Sequence, residues 1–192
     1  MDMKPLRQPA LHLAAVLLGT AMMSAAVARA ETSGVSPAGF MVRIHRDVAA
    51  APHEVYATIA RIGTWWSSAH TWSGDAANLS LDAKAGGCFC ERWGGNSVAH
   101  GQVILVMQDA ALGLQASLGP LQQRAVNGVL TFTTKAAGGK TALDLSYKVV
   151  GNADSGLDQL APLVDKVLEE QVTRLASLIE TGKPTGAAGA PK

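Results

Sequence analysis

One amphipathic segment near the C-terminus constrains this chain more than anything else in it. From Leu157 to Glu180, Leu160, Leu163, Val164, Val167, Leu168, Val172, Leu175, Leu178 and Ile179 recur at spacings of three and four. That spacing puts them on one stripe of a long helix, with Asp165, Lys166, Glu169, Glu170 and Arg174 mostly off it. Pro162 marks either the first turn or a kink after a short lead-in. Gly182 is placed to cap the end, and Pro184 cannot continue the helix. A stripe this wide has to be buried against another element.

The partner is written upstream as a run of strands. Val42 and Ile44 alternate with Arg43, His45 and Asp47 within Phe40–Val48, as in a half-buried strand. Ala51-Pro52 then opens a short helix carrying Val55, Tyr56 and Ile59, which ends near Gly63. A second short helix and a loop follow, holding Trp65, Trp66 and Trp72 together with His70. From Leu79 to Val150 the pattern is strand and turn: Leu79 and Leu81, then Cys88 to Trp93, Gly94-Gly95 as a hairpin turn, Val98 to Met107, and Leu112 to Leu118 ended by Gly119-Pro120. Leu130 and Phe132 alternate with threonines. Leu143, Leu145, Tyr147 and Val149 alternate with Asp144, Ser146 and Lys148, and Gly138-Gly139 joins the two runs. Strands in sequence with tight turns predict an antiparallel meander with one wet face. The fold class is therefore α+β: a curved antiparallel sheet of six or seven strands around the long C-terminal helix, with two short helices after the first strand. A sheet that wide around a single helix leaves a ligand-sized space between them.

The ends read differently. Lys4 and Arg7 precede an apolar stretch from Ala10 to Val27, and Ala28-Arg29-Ala30 is a small-x-small site, so residues 1–30 are expected to be a secretory signal peptide cut before Glu31. Residues 31–38 read as a linker, 39–182 as one domain, and 183–192 as a disordered Gly/Ala/Pro tail. No second apolar stretch is long enough to span a membrane, and no Cys follows the cut to carry a lipid. The formal net charge of +1 includes Asp2, Lys4, Arg7 and Arg29. Without them the chain stays close to neutral, which gives no electrostatic footprint for nucleic acid or an anionic membrane. Location is expected to be periplasmic or secreted.

The order of elements resembles the START-like, or SRPBCC, superfamily. Val42 to Trp66 (VRIHRDVAAAPHEVYATIARIGTWW) resembles its opening strand, Ala-Pro helix start and aromatic second helix. Gly86-Gly87-Cys88-Phe89-Cys90-Glu91 resembles its Gly-Gly-x-Phe-x-Glu strand, His100-Gly101-Gln102-Val103 the next strand, and Leu163 to Glu180 the closing helix. The likeness extends to the heat-shock-ATPase-activator-like and polyketide cyclase/dehydrase-like branches. It implies the helix-grip fold. It implies no particular activity, because this fold hosts carriers, cyclases, hydrolases and co-chaperone modules.

Aromatic residues are only 5% of the chain, so their clustering in Trp65, Trp66 and Trp72 is informative. They either gate a cavity mouth and stack on an apolar ligand or pack the short helices on the sheet. Phe89, Glu91 and Trp93 share a strand face, so Glu91 is expected to follow Phe89 inward. There its pKa would be raised and it could move a proton, or it could be satisfied at the sheet edge by Arg92 or a backbone amide. His70 with Asp75 is a second acid–base candidate. Cys88 and Cys90 are one strand step apart, about 6.6–6.8 Å between Cα atoms, at the limit for a bridge. Free thiols are expected, with a soft metal pair completed by His100 as the other option. No spacing among His45, His53, His70 and His100 forms a metal site, and no dinucleotide or phosphate loop is present, so neither metal nor cofactor is expected.

These readings converge on a binding protein for a small hydrophobic molecule, a lipid, aromatic or polyketide-like compound. Its cavity is expected to be lined by Phe89, Glu91, Trp93, Leu130, Phe132 and Tyr147, with Trp65, Trp66 and Trp72 as the gate. An enzyme of the cyclase, dehydrase or hydrolase kind using Glu91 or His70 is the alternative, and an envelope interaction module with an unspecified protein partner is a third.

Overall fold

A computed structural model describes residues 31–185. The expected signal peptide and the end of the expected tail, 186–192, lie outside the described residues. Eight strands form one antiparallel sheet: β1 (Glu31–Ser36), β2 (Gly39–Val48), β3 (Leu79–Leu81), β4 (Cys88–Trp93), β5 (Asn96–Met107), β6 (Ala111–Ala116), β7 (Asn127–Ala137) and β8 (Lys140–Val150). Their order across the sheet is β1-β2-β8-β7-β6-β5-β4-β3. The meander thus runs from β3 back to β8, which pairs with β2 along its whole length, from Gly39↔Val150 to Val48↔Thr141.

The alternating residues land as the period of two requires. Val42 and Ile44 of β2, Leu130 and Phe132 of β7, and Leu143, Leu145, Tyr147 and Val149 of β8 are all buried on the concave face. Helix α1 (Pro52–Ala60) starts with proline in its first turn, and the Glu54 side chain reaches back to the Ala51 amide at 3.2 Å. The second short helix is instead two 3-10 turns, Ile62–Thr64 and Ser68–His70. Tryptophan and histidine spacing there does not repeat at 3.6, so no α-helical face is available to propagate it.

Helix α2 (Leu157–Thr181) is continuous, with Pro162 inside it. Gly156 and Gly182 flank it in the left-handed conformation, and the Gly182 amide donates to the Leu178 carbonyl at 2.9 Å. Its start is tied to the sheet edge by the Leu157 amide, which donates to the Pro37 carbonyl at 3.0 Å. Leu157, Ala161, Leu168, Val172 and Leu175 are buried against the sheet and α1. Burial on this scale, at about 25 cal/mol per Å² of apolar surface, is the main force closing helix onto sheet.

Two expectations need correction. Residues 31–38 are not a linker: Glu31–Ser36 is the edge strand β1, paired with β2 through Thr32↔Val42 and Ser33↔Met41. Its polar, Gly-containing sequence lacks an apolar period because an edge strand over one end of the helix has little to bury. Cys88 and Cys90 are not free thiols but form a disulfide, with Cα atoms 5.4 Å apart. The regular-strand distance does not hold because the ladder is irregular here. Pairing runs Phe89↔Gly101 and then Cys90↔Ala99, leaving His100 as an extra residue on β5. This β-bulge lies directly opposite the bridge and bends the ladder there.

Candidate functional site

The segment from Trp65 to Ser73 is clamped from two sides. On one side α2 supplies consecutive grips. The Ser67 amide donates to Gln171 Oε1 at 2.7 Å, Arg174 Nε donates to the Trp65 carbonyl at 2.9 Å, and His70 Nε2 lies 3.0 Å from Glu170 Oε2. Glu170, Gln171 and Arg174 occupy neighbouring positions on one side of the helix, so the three contacts come from one surface. Gln171 is fully buried, which a side-chain amide tolerates only when it is bonded. On the other side Glu91 of β4 accepts from the Trp72 amide at 3.0 Å and the Ser73 amide at 2.5 Å.

Glu91 also accepts from His100 Nε2 at 3.0 Å, and both side chains are buried. Burial pushes the Glu91 carboxyl up, but hydrogen bonds from Ser73, Trp72 and His100 together outweigh it and hold the group below its ordinary value. The expected raised pKa is therefore overturned, and Arg92 is not its partner: Arg92 reaches Ser80 instead. His100 is held below its ordinary value because burial outweighs the attraction of Glu91. His100 faces inward because it is the bulged residue; regular alternation from Val103 would turn it outward. Gly101 permits this geometry, since a Cβ there would sit 2.7 Å from that of Ala116.

Three walls enclose a cavity of about 480 Å³. Leu160, Leu163, Val164, Val167 and Leu168 of α2 form the first. Trp66 and Ala69 to Trp72 form the second. Leu118 to Leu121 and Gln123, around the 3-10 turn Gly119–Gln123, form the third, with His100 completing the lining. Trp72 is 47% and Leu163 61% exposed, so these two mark the mouth. Gln122 joins two walls: it accepts from Trp72 Nε1 at 2.8 Å and donates to the Ala99 carbonyl at 3.1 Å. A second cavity of about 490 Å³, lined by Ala99, Gly101, Gln115, Ser117, Gln122, Asn127 and neighbours, shares His100 with the first. Its wall is polar where the first is apolar.

The residues singled out in the sequence divide. Trp66, Trp72 and His70 line the first cavity. Trp65 does not: it is fully buried, its indole N–H bonds the Thr58 carbonyl at 2.9 Å, and its ring stands edge-on to Phe132 at 6.3 Å. Leu130, Phe132 and Tyr147 fill the core rather than a cavity. Tyr147 holds the third wall from behind, donating to the Ala116 carbonyl at 3.0 Å and accepting from the Leu118 amide at 3.3 Å. Gly128 leaves room for that ring, since a Cβ there would come 2.8 Å from it. Phe89 lies behind the lining, between Trp66 at 5.8 Å and His100 at 4.8 Å. Trp93 sits at the hairpin end of β4, opposite Asn96 and away from the cavity. Asp75 does not pair with His70; it caps a 3-10 turn by accepting from the Ala77 amide at 2.9 Å. The metal option for Cys88, Cys90 and His100 falls with the disulfide. Sequence reasoning took Leu118 to Pro120 as a strand end and turn and did not foresee that Leu118 to Gln123 wall a cavity, and Gly101 was the one local hint of the bulge that aims His100.

No family model matches the sequence, and no curated protein matches it. Solved structures do match. CalU16 from Micromonospora echinospora aligns with a TM-score of 0.56 and 16% identity, over 83% of this chain and 87% of that one. DynU16, titled as a putative protein in the dynemicin biosynthetic locus, aligns at 0.53 and 21% identity, over 76% of this chain and 49% of that one. The Aha1 dimer from Colwellia psychrerythraea aligns at 0.51 and 13% identity, over 74% and 98%. At these identities the likeness is one of fold, and the fold is the helix-grip fold.

Proposed function

We propose that this helix-grip protein binds a small, mainly apolar molecule in the cavity between α2, the Trp66–Trp72 segment and the 118–123 turn. The observation that carries the reading is the lining itself. The α2 side chains Leu160, Leu163, Val164 and Val167 line the cavity, and of these Leu160 and Val164 pack only partly against the core. An apolar stripe wider than the sheet can cover costs stability unless a ligand covers it. A volume of about 480 Å³ suits a lipid fragment, an aromatic metabolite or a polyketide-like compound. That one fold neighbour comes from a biosynthetic locus supports a small-molecule role.

The test is native mass spectrometry of the protein purified from its own host, followed by Val164→Trp. We expect a discrete bound molecule in the wild type, lost in the filled-cavity variant while its circular dichroism is unchanged. Equal retention in both would remove this cavity as the site.

Export is part of the proposal. The Lys4/Arg7 start, the apolar stretch and Ala28-Arg29-Ala30 support it, and so does the Cys88–Cys90 disulfide, which an oxidising compartment maintains. Mass measurement of envelope-derived protein should give a chain beginning at Glu31. An intact N-terminus would contradict it.

An enzymatic reading is favoured by one observation: His70 and His100 line the same cavity, each backed by a carboxylate. Histidine–carboxylate pairs act as general bases. Glu91 itself is not the acid–base group in that reading, since backbone amides and His100 occupy its oxygens. Turnover of a bound compound that disappears in His100→Gln and His70→Gln, with binding kept, is the expected signature.

A further inference from the structure

His100 lines both the apolar cavity and the polar one, and its tautomer can be derived. Glu91 accepts at both oxygens: Oε1 from the Ser73 amide, Oε2 from the Trp72 amide and His100. It is held ionised and has no proton to give, so the hydrogen in the 3.0 Å contact belongs to His100 Nε2. Burial keeps the imidazole neutral, so its other nitrogen, Nδ1, carries a lone pair and no hydrogen. Among the described residues Nδ1 has no hydrogen-bond partner. A turn of the ring that presented its N–H instead would leave Glu91 short of a donor.

Resting on the binding reading above, we propose that His100 Nδ1 is a preformed acceptor for a hydroxyl group, so that the ligand is an alcohol or phenol. Its apolar body lies against Val164, Val167 and Trp66, and its hydroxyl end points to His100, which also lines the polar cavity bounded by Gln115 and Ser117. A ligand without a donor leaves Nδ1 desolvated and unpaired, which is what discriminates against it.

The probes are 2-naphthol and 2-methoxynaphthalene, which share a ring system and differ in the donor. Titration of the full mature chain by tryptophan quenching should show 2-naphthol binding about three- to tenfold more tightly, the worth of one hydrogen bond. His100→Phe, which keeps the ring against Phe89, should bring the two affinities together. Should that variant not fold, nitrogen-15 NMR of the wild type decides alone: His100 must show hydrogen on Nε2 and a bare Nδ1 whose resonance moves on adding 2-naphthol but not on adding the ether. Equal affinity of the two probes for wild type overturns the hydroxyl acceptor and leaves the apolar cavity standing. Binding of neither overturns both. A charged His100, or one with hydrogen on Nδ1, overturns the acceptor whatever the titrations give.

Discussion

His100 Nε2 lies 3.0 Å from Glu91 Oε2, and both side chains are buried. The pair joins two adjacent strands at a bulge and at the same time holds the Trp72–Ser73 backbone through the carboxylate. A single buried anion therefore organises the sheet edge, the tryptophan segment and the polar point of the cavity. Its desolvation is tolerable because charge-assisted hydrogen bonds surround it.

Glu91→Gln should destabilise the fold by about 1–3 kcal/mol, since the amide NH₂ meets donors that then lack an acceptor. Urea unfolding measures it. A cost near zero would show that the Trp72 and Ser73 amides do not depend on the carboxylate.

The Glu91–His100 pair should lose its contribution to stability steadily in acid. His100 has its folded pKa below the ordinary 6.5, so between those values the unfolded chain binds the proton first and stability drops as pH falls through that window. Glu91, also lowered in the folded state, contributes stability above the ordinary carboxylate pKa that is lost as pH falls through its folded value. Both act in one direction. His45, raised by its bond to Asp144, acts the other way, so the test uses a His45→Gln background, in which midpoints of denaturation that rise between pH 7 and pH 5 would contradict the assigned protonation of this pair.

Trp65→Ala and Trp72→Ala should separate structure from binding. Trp65 is 0% exposed within the core, so its truncation should cost about 3–5 kcal/mol in stability. Trp72 stands at the mouth, and its loss should weaken 2-naphthol binding with a stability change within about 1 kcal/mol. The opposite assignment of effects would move the site away from the 118–123 turn.

Tyr147→Phe should cost about 1 kcal/mol through the lost bonds to Ala116 and Leu118. It should also loosen the third wall, seen as faster amide hydrogen exchange at Leu118. Unchanged exchange would mean the wall is held by other contacts, such as the Arg124 bond to the Ser155 carbonyl.

The Cys88–Cys90 bridge closes a very short loop, so its effect on unfolded-chain entropy is small, below the roughly 3 kcal/mol of a 15-residue loop. Cys88→Ser with Cys90→Ser should therefore leave a folded protein, and thiol labelling of native wild type should find no reactive thiol before reduction. Labelling of both cysteines without a reductant would refute the bridge.

The elements were legible in the sequence because each depends on local periodicity. Val42 and Ile44, Leu143 to Val149, and the α2 stripe announce which face is apolar, and that is enough for strands, helix, meander order and α+β class. The period is silent on what stands opposite that face. Phe132 and Tyr147 look the same in sequence whether they line a space or fill it. Trp65 stands edge-on to Phe132 and Phe40 to Tyr147, so they fill it, and the space opens beside Leu163 and Val164 instead. Nor does alternation reveal a residue that breaks it: the extra position at His100 turns that side chain inward and joins it to Glu91, opposite the Cys88–Cys90 bridge. Sequence by itself determined the pieces and their apolar faces, since those follow from neighbours along the chain. Tertiary structure alone decided where the cavity lies and which polar atoms reach it, since those follow from the register and placement of segments far apart in sequence.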